Sequence, residues 1–182
     1  MRRKSHIEIN KIYFWTCTIH QWNRLFITDH YKELIRNSLY KLVKEKLATI
    51  YGYVIMPNHL HLIIQFNQLN GKEKPNASFL KETSHVLLKK LMDSNDETLS
   101  NYAVEEHDRK FRIWQRDALA IEILSKEMLE QKLAYIHNNP IHERWQLVVD
   151  KNDYLYSSSS FYHQQISDDD KLVTDYRSVF LI

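Results

Sequence analysis

At 182 residues, with 43% hydrophobic and 12% aromatic side chains, the chain can bury an ordinary single core without staples. Two glycines exclude a glycine-rich phosphate loop, and one cysteine, Cys17, excludes an internal disulfide or a Cys-x-x-Cys zinc pair, which points to a reducing, cytoplasmic setting. The formal net charge of +2 does not by itself announce a nucleic-acid binder.

No long apolar run follows the basic start Arg2-Arg3-Lys4, so neither a signal peptide nor a membrane span is expected. Residues 11–19, rich in β-branched and aromatic side chains, read as a strand. Residues 29–48 carry Leu34, Ile35, Leu39, Leu42, Val43 and Leu47 at helical spacing, with Thr28 or Asp29 as the cap. Residues 49–56 and 60–66 read as two strands hinged at Pro57-Asn58. Residues 67–76, with Asn70-Gly71, read as a loop, and 77–92 as a second helix.

Residues 93–108 are polar and irregular, and 111–123 suggest another strand. Ser125 is placed to cap a third helix that Pro140 should end. The order β-α-β-β-α-β-α predicts an α+β fold, a ferredoxin-like antiparallel sheet with helices packed on one face. Residues 1–150 are expected to form the functional domain. Residues 151–182 read as a weakly patterned C-terminal tail, packed on that domain or extending from it.

Three places carry candidate chemistry. In the strand 59–66, side chains alternate, so Leu60, Leu62, Ile64 and Phe66 form an apolar face. His59, His61, Ile63 and Gln65 share the other, expected to face solvent. Imidazoles at i and i+2 project in parallel and can share a cation, although two exposed surface histidines would give the same pattern. A third histidine would suggest histidine-triad hydrolases, but Ile63 stands there.

In the third helix, Leu129, Leu133 and Ile136 form the core stripe, while Tyr135 and Asn139 sit one turn apart on its flank. A tyrosine there can anchor a helix rim. Beside a divalent ion it can instead attack a phosphate, with the amide oxygen as a further ligand. Finally, Arg109, Lys110, Arg112 and Arg116 interleave with Phe111 and Trp114, a mixture suited to DNA phosphates and base stacking, or to a solvated strand edge.

Met56-Pro57-Asn58-His59-Leu60-His61 resembles the histidine–hydrophobe–histidine motif of the HUH transposases. Tyr135-Ile136-His137-Asn138-Asn139-Pro140 resembles the tyrosine motif of the single-tyrosine, IS200-like members, in particular the REP-associated tyrosine transposases. Trp114-Gln115 and Tyr156-Ser157-Ser158 resemble the same subgroup, whereas the glycine usual after Asn-Pro is missing from residues 141–146.

The resemblance implies a ferredoxin-like domain that cuts and rejoins single-stranded DNA beside hairpins. It implies Mg²⁺ or Mn²⁺ held by His59, His61 and Asn139, and Tyr135 as the nucleophile that keeps the DNA as a 5′-phosphotyrosine. Relatives of this kind include compact monomers and homodimers that complete their sites in trans. A hairpin-binding module without catalysis and another HUH nuclease, such as a replication initiator, are the competing readings.

Overall fold

The computed structural model describes residues 6–164 and 171–180. The basic residues 2–4, and residues 165–170 and 181–182 of the expected tail, lie outside them. The core is one four-stranded sheet in the order β2-β3-β1-β6, antiparallel throughout. Its strands are β1 (Ile12–Thr18), β2 (Ala48–Met56), β3 (His59–Phe66) and β6 (Leu119–Glu122). Helix α1 (Asp29–Lys44) joins β1 to β2, and α2 (Pro75–Asp93) follows β3. This is the ferredoxin-like β-α-β-β-α-β arrangement that the order of elements predicts. A small hairpin, β4 (Ala103–Glu106) and β5 (Arg109–Phe111), precedes β6, and α3 (Lys126–Asn138) follows it. Among the described residues no helix is long and apolar enough to cross a membrane.

Strand alternation builds two unlike faces. Tyr13, Trp15 and Cys17 pair in register with Ile64, Leu62 and Leu60, and the fully buried Trp15 meets Phe66 and Phe79 edge-on. Ile35 and Leu39 of α1 and Phe79 and Leu87 of α2 complete this main core. Burying such side chains stabilises the fold by roughly 1.5–3 kcal/mol each. The helix α1 stops at Lys44, short of the expected residue 48, because Lys46 turns left-handed (φ 57°) and reverses the chain into β2.

The other face, with Phe14, Thr16, His59, His61 and Ile63, is covered by α3. The expected one-faced helix layer therefore holds for α1 and α2, while α3 lies across the opposite side. Two local features admit it. A β-bulge between Ile50 and Gly52 pairs Gly52 with Ile63, turning it towards α3. There the missing side chain matters: a Cβ on Gly52 would sit 2.6 Å from Leu133 Cδ1 and 3.2 Å from Ile136 Cδ1. Ser125 caps α3 as expected, its hydroxyl accepting from the Met128 N–H at 3.2 Å.

The weakly patterned chain beyond residue 150 is hydrogen-bonded along the outer edge of β2. Ile55 N–H donates to Tyr156 O, Ser158 N–H to Tyr53 O and Thr174 N–H to Ile50 O. The Ser158 hydroxyl also meets His137 Nε2 at 2.8 Å, which ties α3 to this segment.

Candidate active site

Strand β3 presents His59 and His61 two residues apart, with ring centroids separated by 4.6 Å. Contrary to the expected solvent face, both are buried, 7% and 6% exposed, because α3 and the chain after it roof this side of the sheet. Burial, reinforced for His59 by the Arg144 cation, holds its imidazolium pKa down at about 4. Burial, then neighbouring His59 and Lys132, holds His61 at about 3. Both rings are therefore neutral at physiological pH and keep a lone pair for a ligand.

The surrounding hydrogen bonds select which nitrogen carries it. Asn58 donates its amide Nδ2–H to Trp22 O at 3.2 Å, so its Oδ1 is the acceptor facing His59 Nδ1 at 2.7 Å. His59 Nδ1 then carries the proton and Nε2 the lone pair, the ring pinned from behind as in metal-binding histidines. Thr16 Oγ1 occupies Nδ1 of His61 at 2.8 Å.

Tyr135 meets this pair from α3. Its ring lies edge-on to His61 at 5.4 Å and to Phe14 at 5.9 Å, and the residue is 52% exposed. Its two nearest rivals along the motif-bearing C-terminal segment are occupied elsewhere. Tyr154 is buried with its hydroxyl donating to Ile55 O at 2.7 Å, and burial raises its pKa well above the usual phenol range. Burial raises Tyr156 to about 12. One turn beyond Tyr135, Asn139 donates Nδ2–H to the Tyr135 carbonyl at 3.1 Å, leaving its Oδ1 as a free amide acceptor. Among the described residues, no group of three or more His, Cys, Asp or Glu has metal-binding spacing. His59 and His61 are thus the histidines that this face of β3 brings together, and Asn139 stands one turn beyond Tyr135 on α3.

No protein-family model matches the chain, and no curated protein does. Among solved structures, it is similar to a REP-associated tyrosine transposase bound to a REP hairpin, with a TM-score of 0.61. The match covers 88% of this chain and 83% of that one at 16% identity. The chain has the fold of a tyrosine transposase.

The basic stripe fares differently from the His–Tyr site. Arg112 is buried and bonded by both carboxylate oxygens of Glu106, and Arg116 reaches the same carboxylate at 3.0 Å. Arg109 pairs with Asp108 at 2.6 Å and with Glu106 at 3.5 Å. Trp114 is buried: its indole N–H donates to Thr83 Oγ1 at 3.0 Å and its ring packs on Phe26. Trp114, expected to stack on DNA bases, thus has both its polar atom and its ring engaged in the core. Arg112, expected to meet a DNA phosphate, is held here by the Glu106 carboxylate. Lys110 and Arg116 stay exposed and, with Arg109, line a cleft of about 890 Å³ against α2. Among the described residues, no hydrogen bond, ion pair or ring contact joins these five side chains to His59, His61 or Tyr135.

Four residues at the site escaped the motif reading. Lys132 lies over the Phe14 ring at 5.1 Å. Trp145 meets His59 at 5.8 Å, and Arg24 and Arg144 stand over the Trp145 ring at 5.8 and 5.3 Å. The only sequence signal for them was the local Arg-Trp pair at 144–145.

Proposed function

We propose that this protein is a metal-dependent transposase or host-serving relative that cleaves and rejoins single-stranded DNA near hairpins. Tyr135 is its nucleophile. The observation that carries the reading is the convergence of His59 and His61 from β3 with Tyr135 from α3, two distant parts of the chain meeting at one partly open place. The likeness to a transposase solved with a REP hairpin supports the same substrate class.

The donor set fits a small divalent ion: two neutral imidazoles with Nδ1 occupied, and an amide with its Nδ2 occupied. His59 and His61, through Nε2, and Asn139, through Oδ1, would hold Mg²⁺ or Mn²⁺. When bound, such an ion supplies a Lewis acid that polarises the scissile phosphate and favours the phenolate.

The chain's own residues do the rest. Tyr135, half exposed beside His61, loses its phenolic proton to solvent and its oxygen attacks phosphorus. The bond from phosphorus to the 3′-oxygen breaks, that oxygen takes up a proton, and the 5′-phosphate stays on the tyrosine. A second 3′-hydroxyl reverses the exchange. One phosphodiester replaces another at each step, so no nucleotide cofactor is consumed. Phe14 and the Ser125-capped helix set the direction from which the phenol approaches.

Incubation with hairpin-flanked single-stranded DNA and Mn²⁺ should give a covalent protein–DNA band that Tyr135→Phe abolishes without loss of folding. Mass spectrometry should place the adduct on Tyr135. An adduct on Tyr154 or Tyr156, or cleavage by the phenylalanine variant, would make the nucleophile assignment wrong. Hairpin binding with no adduct in the wild type would favour a silent binding module.

A further inference from the structure

Next to His59 lies a surface that the cleavage chemistry does not use. Trp22 is 54% exposed, yet it stands on a turn that is held with care. Gln21 and Trp22 both adopt left-handed backbone angles (φ 53° and 60°), a conformation disfavoured for residues with a Cβ. The turn is tied down by Trp22 N–H to Ile19 O at 3.0 Å and by Asn58 Nδ2–H to Trp22 O at 3.2 Å. Asn58 is also the residue that pins His59, so the indole and the imidazole are positioned by one side chain. A disfavoured backbone that is kept in place to present an exposed aromatic ring points to a use for that ring.

Two cations lie over a ring beside His59. Arg24, on the loop after Trp22, and Arg144 both lie over the Trp145 ring, which itself touches His59. Both are exposed, and among the described residues neither is in an ion pair, whereas Arg109, Arg112 and Arg116 all face carboxylates. Free guanidiniums fixed on an aromatic plate suit phosphate oxygens, and an exposed indole suits the π-face of an unstacked base.

We propose that Trp22, Arg24 and Arg144 form a subsite for one unpaired nucleotide of single-stranded DNA beside His59, the base lying on Trp22 and its phosphate between the guanidiniums. The inference rests on the DNA-cleavage reading above and adds to it the residues that grip the strand next to the reacting phosphate. Trp145 acts here as the support of the two arginines.

The test uses the full chain in EDTA, so that no cleavage intervenes. The probes are a fluorescent DNA hairpin with a short single-stranded thymidine tail and the same hairpin with a blunt end. Base stacking on an aromatic side chain contributes about 1–3 kcal/mol, so Trp22→Ala should weaken tailed binding roughly 5- to 150-fold and leave blunt binding unchanged. An abasic nucleotide moved along the tail should cause the same loss at one position in the wild type, and no further loss there in Trp22→Ala.

Arg24→Ala and Arg144→Ala should each flatten the salt slope by about 0.7, while Trp22→Ala leaves it as it is. Additive losses from Trp22→Ala and the abasic tail, equal losses for tailed and blunt DNA, or unchanged tailed binding would overturn the subsite. The adduct assay with Mn²⁺ separates the two readings. Tail binding through Trp22 with no adduct defeats cleavage alone, and a Tyr135 adduct with Trp22→Ala binding like the wild type defeats the subsite alone.

Discussion

Replacing Gly52 by alanine tests whether the seating of α3 on β2 is what brings Tyr135 to the histidines. Gly52 needs no left-handed backbone, so the change alone would stiffen the unfolded chain and stabilise the protein by about 0.4–1 kcal/mol. The new Cβ, however, meets Leu133 Cδ1 at 2.6 Å and Ile136 Cδ1 at 3.2 Å. The first distance is well inside van der Waals contact, and both methyls belong to α3, on either side of Tyr135. Overpacking of this kind costs about 1–3 kcal/mol, which outweighs the entropic gain.

Since 1 kcal/mol shifts Tm by about 2–4 °C in a chain of this size, Gly52→Ala should lower Tm by up to about 10 °C. Adduct formation should fall further than stability does, because relief of the clash lifts the nucleophile from His61. Mn²⁺ binding should weaken less than adduct formation falls, since His59 and His61 sit on β3 and of the three proposed ligands only Asn139 moves with α3. Adding Leu133→Ala removes the closest methyl, so the double variant should be more stable than the sum of the two single losses predicts. Thermal melts and adduct kinetics read these outcomes. A Gly52→Ala protein with unchanged Tm and unchanged adduct rate would refute the argument that α3 is seated by this glycine.

Asn58→Ala should weaken Mn²⁺ binding about 10–100-fold by calorimetry, because His59 loses the acceptor that fixes its proton on Nδ1; unchanged affinity would remove Asn58 from that role. An uncharged donor set implies that Mn²⁺ binds more tightly than Mg²⁺, and that either binds more tightly once a DNA phosphate supplies negative charge. Titrating Tyr135→Phe with Mn²⁺ in the presence and absence of tailed hairpin checks this, and equal affinities would contradict it. Without metal, stability should be level just above pH 6.5 and fall as the pH drops towards 4. His59, His61 and His137 are held by burial at about 4, 3 and 4, so between those values and 6.5 the unfolded chain binds protons that the folded one refuses. His137 alone accounts for roughly 3 kcal/mol, and urea denaturation across that range should reveal the slope; a flat profile would mean that the histidines are not buried as neutral rings.

Local periodicity and capping made much of this protein legible from its residues. The alternation of Leu60, Leu62, Ile64 and Phe66 with His59, His61 and Ile63 separates two faces of one strand. Ser125 and Pro140 bracket α3, and 3.6 residues per turn puts Asn139 one turn after Tyr135. These are properties of neighbouring residues, and tertiary context left them unchanged.

What alternation cannot state is which element covers each face, and here that decides the site. The bulge before Gly52 reverses the parity of β2, so a strand read from its sequence alone would point Gly52 and Ile50 to the same side. The arginine stripe looked free for phosphate, but Glu106 sits across the hairpin and satisfies Arg112 and Arg116, a pairing set by the turn between β4 and β5. Trp114 is absorbed by the core because Thr83 of α2 supplies its hydrogen-bond acceptor. Arg24 and Arg144 meet on one indole only because the loop after β1 and the chain after α3 close over the same end of β3. Such contacts depend on long-range packing, which no short window of residues contains.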